Sequence, residues 1–131
     1  MKTIVQTLKF KAAPKVLYEL YMDSKKHGLA TGGAKAVISR KVGGSFSAHD
    51  GYIRGKTLLL VPGQTIVQTW RGGDWSKQDR DSQFILSFEP EGSGTVLTMV
   101  HANVPDNQAE HLAKGWHDFY WKPWKKYLGE K

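Results

Sequence analysis

Cysteine is absent from the 131 residues, so the chain contains neither disulfide bonds nor thiolate chemistry. Long apolar runs are also missing, and no stretch approaches the roughly 20 residues that cross a bilayer as a helix. The first eleven residues alternate polar and apolar side chains and lack the continuous apolar stretch of a signal peptide. We therefore expect a cytoplasmic protein with no membrane span.

Motifs for cofactors and metals are missing as well. The sequence contains no nucleophile elbow, phosphate-binding loop or dinucleotide fingerprint. His111 and His117 are too far apart in sequence to share a helix face, since paired metal ligands on a helix lie about three or four residues apart. We expect no metal and no cofactor. The net charge of +7 comes from scattered lysines and arginines, which argues against nucleic acid as a partner.

The run from residue 106 to 128 has the strongest helical pattern. Its apolar residues recur at the spacing of one helix face. They are Ala109, Leu112, Ala113, Trp116, Phe119, Tyr120, Trp124, Tyr127 and Leu128. Asp106 follows a proline, and we expect it to cap the first turn. Gly115 and Pro123 interrupt the pattern, but the apolar face resumes at Trp124, so we predict a kink at Pro123 rather than a helix end.

The chain before this helix has the pattern of a largely β protein. A strand is predicted over residues 2–11, followed by two short helices over 14–22 and 24–30. Glycine, proline and Asp-Gly turn signals then separate six further strands. These cover residues 34–40, 45–49, 52–61, 64–71, 82–89 and 95–104. We predict one α+β domain, residues 1–131, in which a curved antiparallel sheet of about six or seven strands wraps around the long C-terminal helix.

Several local motifs occur in an order that resembles a known superfamily. They are Pro14 with Val16 and Tyr18, Gly43-Gly44-Ser45-Phe46, Asp50-Gly51 with Gly55, Pro62-Gly63 with residues 66–71, Gly94-Thr95, His101, and Gly115-Trp116 with Tyr120 and Leu128. The chain is similar to the START-like, or SRPBCC, helix-grip proteins. Within them it resembles the single-domain proteins similar to the C-terminal domain of the activator of heat-shock-protein-ninety ATPase. The resemblance implies an apolar cavity between the sheet and the C-terminal helix.

This cavity is the predicted site. We expect it to hold a small hydrophobic or amphipathic ligand without catalysing a reaction. The predicted ligand-binding residues are Phe46, Trp70, Phe84, Leu86, Met99, His101, Trp116 and Tyr120, with Arg71 and Trp75 at the rim. Ordinary core packing is the alternative role for these aromatics, and a hydrogen-bonded structural histidine is the alternative for His101.

Two other functions follow from the resemblance. One is a co-chaperone-like protein-interaction module with a chaperone as its partner. It predicts a packed interior and an exposed patch around Trp75 or on the basic outer face of the helix. The other is a cyclase-like enzyme that uses His101, with Tyr120 or Arg71, on a bound substrate.

Overall fold

The computed structural model describes residues 1–130 and contains one seven-stranded antiparallel sheet. Its strands are β1 (Lys2–Phe10), β2 (Val37–Ile38), β3 (Ser45–Ala48), β4 (Ile53–Val61), β5 (Thr65–Gly72), β6 (Ser82–Glu91) and β7 (Gly94–Val104). The helices are α1 (Pro14–Met22), α2 (Ser24–Ala30), α3 (Asp106–Trp116) and α4 (Lys122–Tyr127), and a π-helical turn (His117–Trp121) joins the last two. The strand order is β1-β7-β6-β5-β4-β3-β2. These elements confirm the predicted α+β helix-grip fold.

One face of the central strands forms the core. Phe84, Leu86 and Phe88 alternate with more exposed residues along β6, and Leu97, Met99 and His101 do the same along β7. Alternation with a period of two places each set on one face of the sheet. This inward face was predicted correctly, because a strand that is buried on one side alternates strictly between apolar and more polar residues.

The turn between β3 and β4 is longer than the predicted two-residue hairpin. β3 ends at Ala48 and β4 begins at Ile53. His49, Asp50 and Gly51 all have positive φ, of 51°, 57° and 89°. Asp50 fixes this turn from outside, because its carboxylate accepts from the N–H of Lys35 and its own N–H donates to the carbonyl of Lys35. His49 therefore occupies a conformation that non-glycine residues seldom adopt.

The C-terminal helix differs from the prediction at its centre. The N–H of Lys122 donates to the carbonyl of His117, one residue further back than in an α-helix. Pro123 has no N–H to donate to the carbonyl four residues before it, and the wider turn accommodates that gap. The helix thus continues past Pro123, and a π turn directly precedes the proline.

The π turn changes which side chains face the sheet. Phe119 was predicted on the apolar face but is 55% exposed, and Tyr127 is 47% exposed. Trp121, which the predicted apolar face did not include, is only 1% exposed. The extra residue in the turn rotates the following side chains, so a strict 3.6-residue period gives the wrong face here.

The start of the helix also differs from the prediction. Pro105 occupies the capping position, and no side chain caps the first turn. The carboxylate of Asp106 instead lies 2.7 Å from the N-terminal amine of Met1. No helix among residues 1–130 is long and apolar enough to cross a membrane.

Candidate functional site

An open apolar pocket lies between the β3–β4 turn and the C-terminal helix. Its volume is about 330 Å³. The residues that line it are His49, Tyr52, Ile53, Trp70, His111, Leu112, Gly115, Trp116, Phe119 and Tyr120. The turn contributes one wall, the end of β5 contributes Trp70, and the helix contributes the opposite wall. The pocket therefore lies where the sheet and the helix diverge.

Only three of the eight predicted ligand-binding residues line this pocket. They are Trp70, Trp116 and Tyr120. The other five, Phe46, Phe84, Leu86, Met99 and His101, are buried in the core and lie outside the pocket lining. Phe84 stacks on Trp116 with ring centroids 4.9 Å apart and planes inclined by 7°. The space that the resemblance assigned to a deep cavity is filled here by such contacts.

The predicted rim residues also lie outside the pocket lining. Trp75 is buried against Trp70, with ring centroids 5.6 Å apart. A Cβ on Gly72 would lie 2.7 Å from the indole nitrogen of Trp75, so only glycine at this position lets the loop come so close. Arg71 holds the same loop by donating to the carbonyls of Asp79 and Ser76. Both side chains thus fix the β5–β6 loop on the sheet.

His101 is held in a chain of hydrogen bonds at the base of the site. The indole N–H of Trp116 donates to Nδ1 of His101 over 3.2 Å. Nε2 therefore carries the proton and donates to Oγ of Ser82 over 2.7 Å, and that hydroxyl donates to the carbonyl of Trp70. Burial lowers the pKa of His101 to about 3, so the ring is neutral near pH 7. Both ring nitrogens of His101 are thus engaged in hydrogen bonds within the protein.

A second buried histidine, His27, positions a pocket residue. The hydroxyl of Tyr120 donates to Nε2 of His27 over 2.9 Å. Nδ1 of His27 carries the proton and donates to the carbonyl of Tyr21 over 2.8 Å. Burial lowers the pKa of His27 to about 4, against the opposing effect of the Tyr21 carbonyl. Burial also raises the pKa of Tyr120, so both rings are neutral near pH 7. His27 was not predicted as a site residue, because the spacing of apolar residues in so short a helix does not show that a histidine is buried.

A polar chain crosses the core behind the pocket. The hydroxyl of Tyr21 donates to Oε1 of Gln68 over 2.8 Å, and Nε2 of Gln68 donates to Oγ1 of Thr57 over 3.2 Å. All three side chains are fully buried. Because such bonds are costly to break in the interior, this chain fixes Tyr21, whose ring lies 6.3 Å from that of the pocket residue Tyr120.

The rim of the pocket contains the residues that sequence reasoning missed. His49 packs edge-on against Phe119 and Tyr120, with ring centroids 5.8 and 5.4 Å apart. The hydroxyl of Tyr52 donates to Asp74 over 2.5 Å, and burial together with this bond raises the pKa of Tyr52 to about 12. His49 was not among the predicted site residues. Its unusual backbone conformation, which directs the ring over the pocket, has no signature in the sequence pattern.

The part of the chain that the structure describes contains no set of side chains that could bind a metal ion. No group of three or more histidine, aspartate or glutamate side chains is close enough together to hold an ion within residues 1–130. His111 lines the pocket, whereas His117 lies in the π turn outside its lining.

The chain is similar in sequence to known proteins. Residues 11–129 match the model of the family described as "Activator of Hsp90 ATPase homolog 1-like protein". The activator of 90 kDa heat shock protein ATPase homolog of Dictyostelium discoideum is 31% identical over 116 residues, which cover 88% of this chain and 30% of that protein. Homolog 1 of Homo sapiens is 29% identical over 120 residues, covering 92% and 35%.

The fold matches solved structures over its full length. The crystal structure of an HSP90 activator from Plasmodium falciparum superposes with a TM-score of 0.93 at 24% identity, covering 100% of this chain and 99% of that one. The chain spans about a third of the length of the curated relatives it matches.

Proposed function

The chain belongs to the family of Activator of Hsp90 ATPase homolog 1-like proteins, and we propose that it binds a chaperone of the 90 kDa heat shock class and regulates its ATPase. The proposed contact is the rim of the apolar pocket. Two relatives are named as homologs of the activator of 90 kDa heat shock protein ATPase. The observation that carries the proposal is the aromatic pocket that remains open at the surface of an otherwise packed interior.

The chemistry of the rim supports contact with a protein. Phe119 is half exposed beside the pocket, and His49 and Tyr52 face it across the opening. Aromatic side chains at the edge of an apolar pocket are typical of residues that dominate protein–protein binding energies. An apolar side chain of the chaperone would enter the pocket and pack on Trp116 and Tyr120.

The test is a calorimetric titration of the protein into a purified 90 kDa heat shock chaperone. Phe119→Glu places a charge at the pocket mouth, and we expect it to weaken binding at least about tenfold. Tyr127→Glu is the matched control, because Tyr127 is a similarly exposed aromatic on the same helix. Equal affinities for the two variants, or no binding by the unmodified protein, would overturn the proposal.

A small apolar ligand in the same pocket is the second candidate function. The volume of about 330 Å³ is at the lower end of the range for ligand pockets, roughly 300–1,000 Å³. Only a small ligand would fit, because Phe84, Leu86 and Met99 fill the space further in.

Native mass spectrometry of the freshly purified protein tests this candidate. We expect an extra mass that is lost on denaturation and is absent from Gly115→Leu, whose side chain would enter the pocket. An extra mass that persists in Gly115→Leu would place the ligand elsewhere. The chaperone titration and this experiment use different variants, so their outcomes are independent.

A further inference from the structure

Other parts of the chain contact the two lateral edges of the sheet. At one edge, the side chain of Gln6 on β1 donates to the carbonyl of Ala113 and accepts from the indole N–H of Trp121. Lys125 donates to the carbonyl of Lys9 on the same strand. At the other edge, Oγ of Ser24 accepts from the N–H of Ile38 on β2 over 2.8 Å. These contacts protect parts of the lateral edges from pairing with other chains.

The second half of β4 is an exception. β3 pairs with β4 only from Ile53 to Lys56. Thr57 still bonds to the loop before β3, through the N–H of Gly43 and the carbonyl of Gly44. Beyond Thr57 the register shifts at Leu58, and Leu59, Leu60 and Val61 then pair with β5 on one side. No strand among residues 1–130 pairs with their other side. The sheet therefore narrows and leaves a short edge open.

The open edge is apolar. Leu58 and Leu59 are 45% and 48% exposed, and Val42 in the neighbouring loop is 60% exposed. Aliphatic side chains are unusual on an open edge, where charged residues normally prevent pairing. The irregular register at Leu58 limits the regular part of this edge to residues 59–61. We name this surface, residues 58–61 with Val42, the β4 edge.

A groove lies directly beside the β4 edge. It has a volume of about 1110 Å³ and separates α1 from the β4–β5 turn and the end of β6. Leu60 lines it from the edge, and Tyr18, Met22 and Phe88 line it from α1 and β6. Because side chains alternate along a strand, every second residue of a strand added to the edge would point into this groove.

The charges of the groove lining balance, and an excess of positive charge comes from the segments next to the edge. Lys15 and Arg40 line it, and Lys41 and Lys56 are exposed on the segments next to the edge. The carboxylate of Glu19 is already paired with Arg40 at 2.7 Å, which leaves Glu89 as the other acidic residue of the lining. An acidic partner would be attracted and a second copy of this basic chain would be repelled.

We propose that the β4 edge and its groove bind an extended segment of a partner protein that alternates apolar and acidic residues. The segment adds a strand to the sheet beside residues 58–61, its apolar side chains enter the groove, and its acidic side chains face the lysines. This surface is separate from the apolar pocket, since Ile53 at the other end of β4 lines that pocket.

The experiment uses two libraries of synthetic peptides of about ten residues, the length of a long strand. The first alternates Val, Ile, Leu or Phe with Asp or Glu, and the second replaces the acidic residues with Lys or Arg. We expect peptides to be selected from the first library only. Amide hydrogen exchange of the full chain with a selected peptide should then slow at residues 58–61.

Three controls make the result decisive. A selected peptide that is N-methylated at alternate residues cannot complete a strand ladder, and we expect it to bind at least about tenfold more weakly. Leu59→Glu should lose affinity for the acidic peptide by a similar factor. Val5→Glu, on the exposed face of β1, makes the same substitution on another edge strand and should bind normally.

Each other outcome would overturn the proposal. These are no peptide selected from the acidic library, equal binding of the N-methylated peptide, or equal loss of affinity in Leu59→Glu and Val5→Glu. Slowed exchange at residues 58–61 in the free protein at high concentration would show that a second copy covers the edge instead.

Discussion

Acidification should destabilise this protein well above the pH at which its carboxylates titrate. His27 and His101 are both buried and neutral in the folded state, with pKa values lowered to about 4 and about 3. In the unfolded chain, each histidine has a pKa of about 6.5. As the pH falls below that value, the unfolded state binds protons that the folded state does not. The stability supplied by the neutral rings is therefore lost as the pH falls.

The expected size of the effect follows from these values. Between pH 7 and pH 5, each buried histidine should lower the free energy of unfolding by about 2 kcal/mol, and the two together by about 4 kcal/mol. Burial also lowers the pKa of His49, which adds to the loss in the same direction. Ordinary carboxyl groups, with pKa values of about 4, change little in this window.

Urea unfolding at pH 7, 6 and 5 measures this dependence. His27→Gln and His101→Gln each remove one titrating ring, so each should reduce the stability difference between pH 7 and pH 5 by about 2 kcal/mol. His117→Gln is the control, because His117 is exposed in the π turn. A pH dependence that is the same in His101→Gln as in the unmodified protein would refute the assignment of a neutral, buried ring.

Three further predictions concern the helix and the loop beside the pocket. Gly115→Ala should raise the free energy of unfolding by about 1 kcal/mol, because its Cβ meets nothing closer than Phe119 at 3.8 Å; a loss measured in urea would contradict the open space. Trp121→Ala should lower the free energy of unfolding by about 3–5 kcal/mol, and Phe119→Ala should lower it by less than about 1 kcal/mol. The reverse order of the two effects in thermal unfolding would contradict the π turn. Trp75→Ala should lower the free energy of unfolding by about 3 kcal/mol and make the β5–β6 loop sensitive to limited proteolysis. An unchanged cleavage pattern would show that the loop is not held by this ring.

The fold could be predicted from the sequence because its elements have strong local signals. Phe84, Leu86 and Phe88 alternate along β6, and Pro62-Gly63 marks the turn between β4 and β5. Pro14 marks the start of α1. Each of these features depends on residues close together in the chain, which pattern reading can detect.

The site could be predicted only in part, because it depends on contacts between distant segments. Trp70, Trp116 and Tyr120 were identified from their periods, but the periods could not show that Phe84 stacks on Trp116 and fills the space between helix and sheet. In the π turn, Trp121 is buried and Phe119 is exposed, which is the reverse of the prediction for Phe119. A helical period assumes uniform hydrogen bonding, and one shifted bond is enough to change it.

The partner surfaces were also hidden from the sequence. Residues 58–61 were correctly placed in a strand, but their open edge results from the short length of β3, which pairs with β4 over four residues only. An unpaired edge is a property of the whole sheet, so no local pattern predicts it.

The central claim is that this chain regulates a 90 kDa heat shock chaperone through the pocket rim. The most direct measurement is the steady-state ATPase rate of the purified chaperone with increasing amounts of this protein. The account predicts a rate that rises to a plateau with the unmodified protein and with Tyr127→Glu, and that stays at its basal value with Phe119→Glu. A rate that does not change with the unmodified protein, or that rises equally with Phe119→Glu, would contradict it.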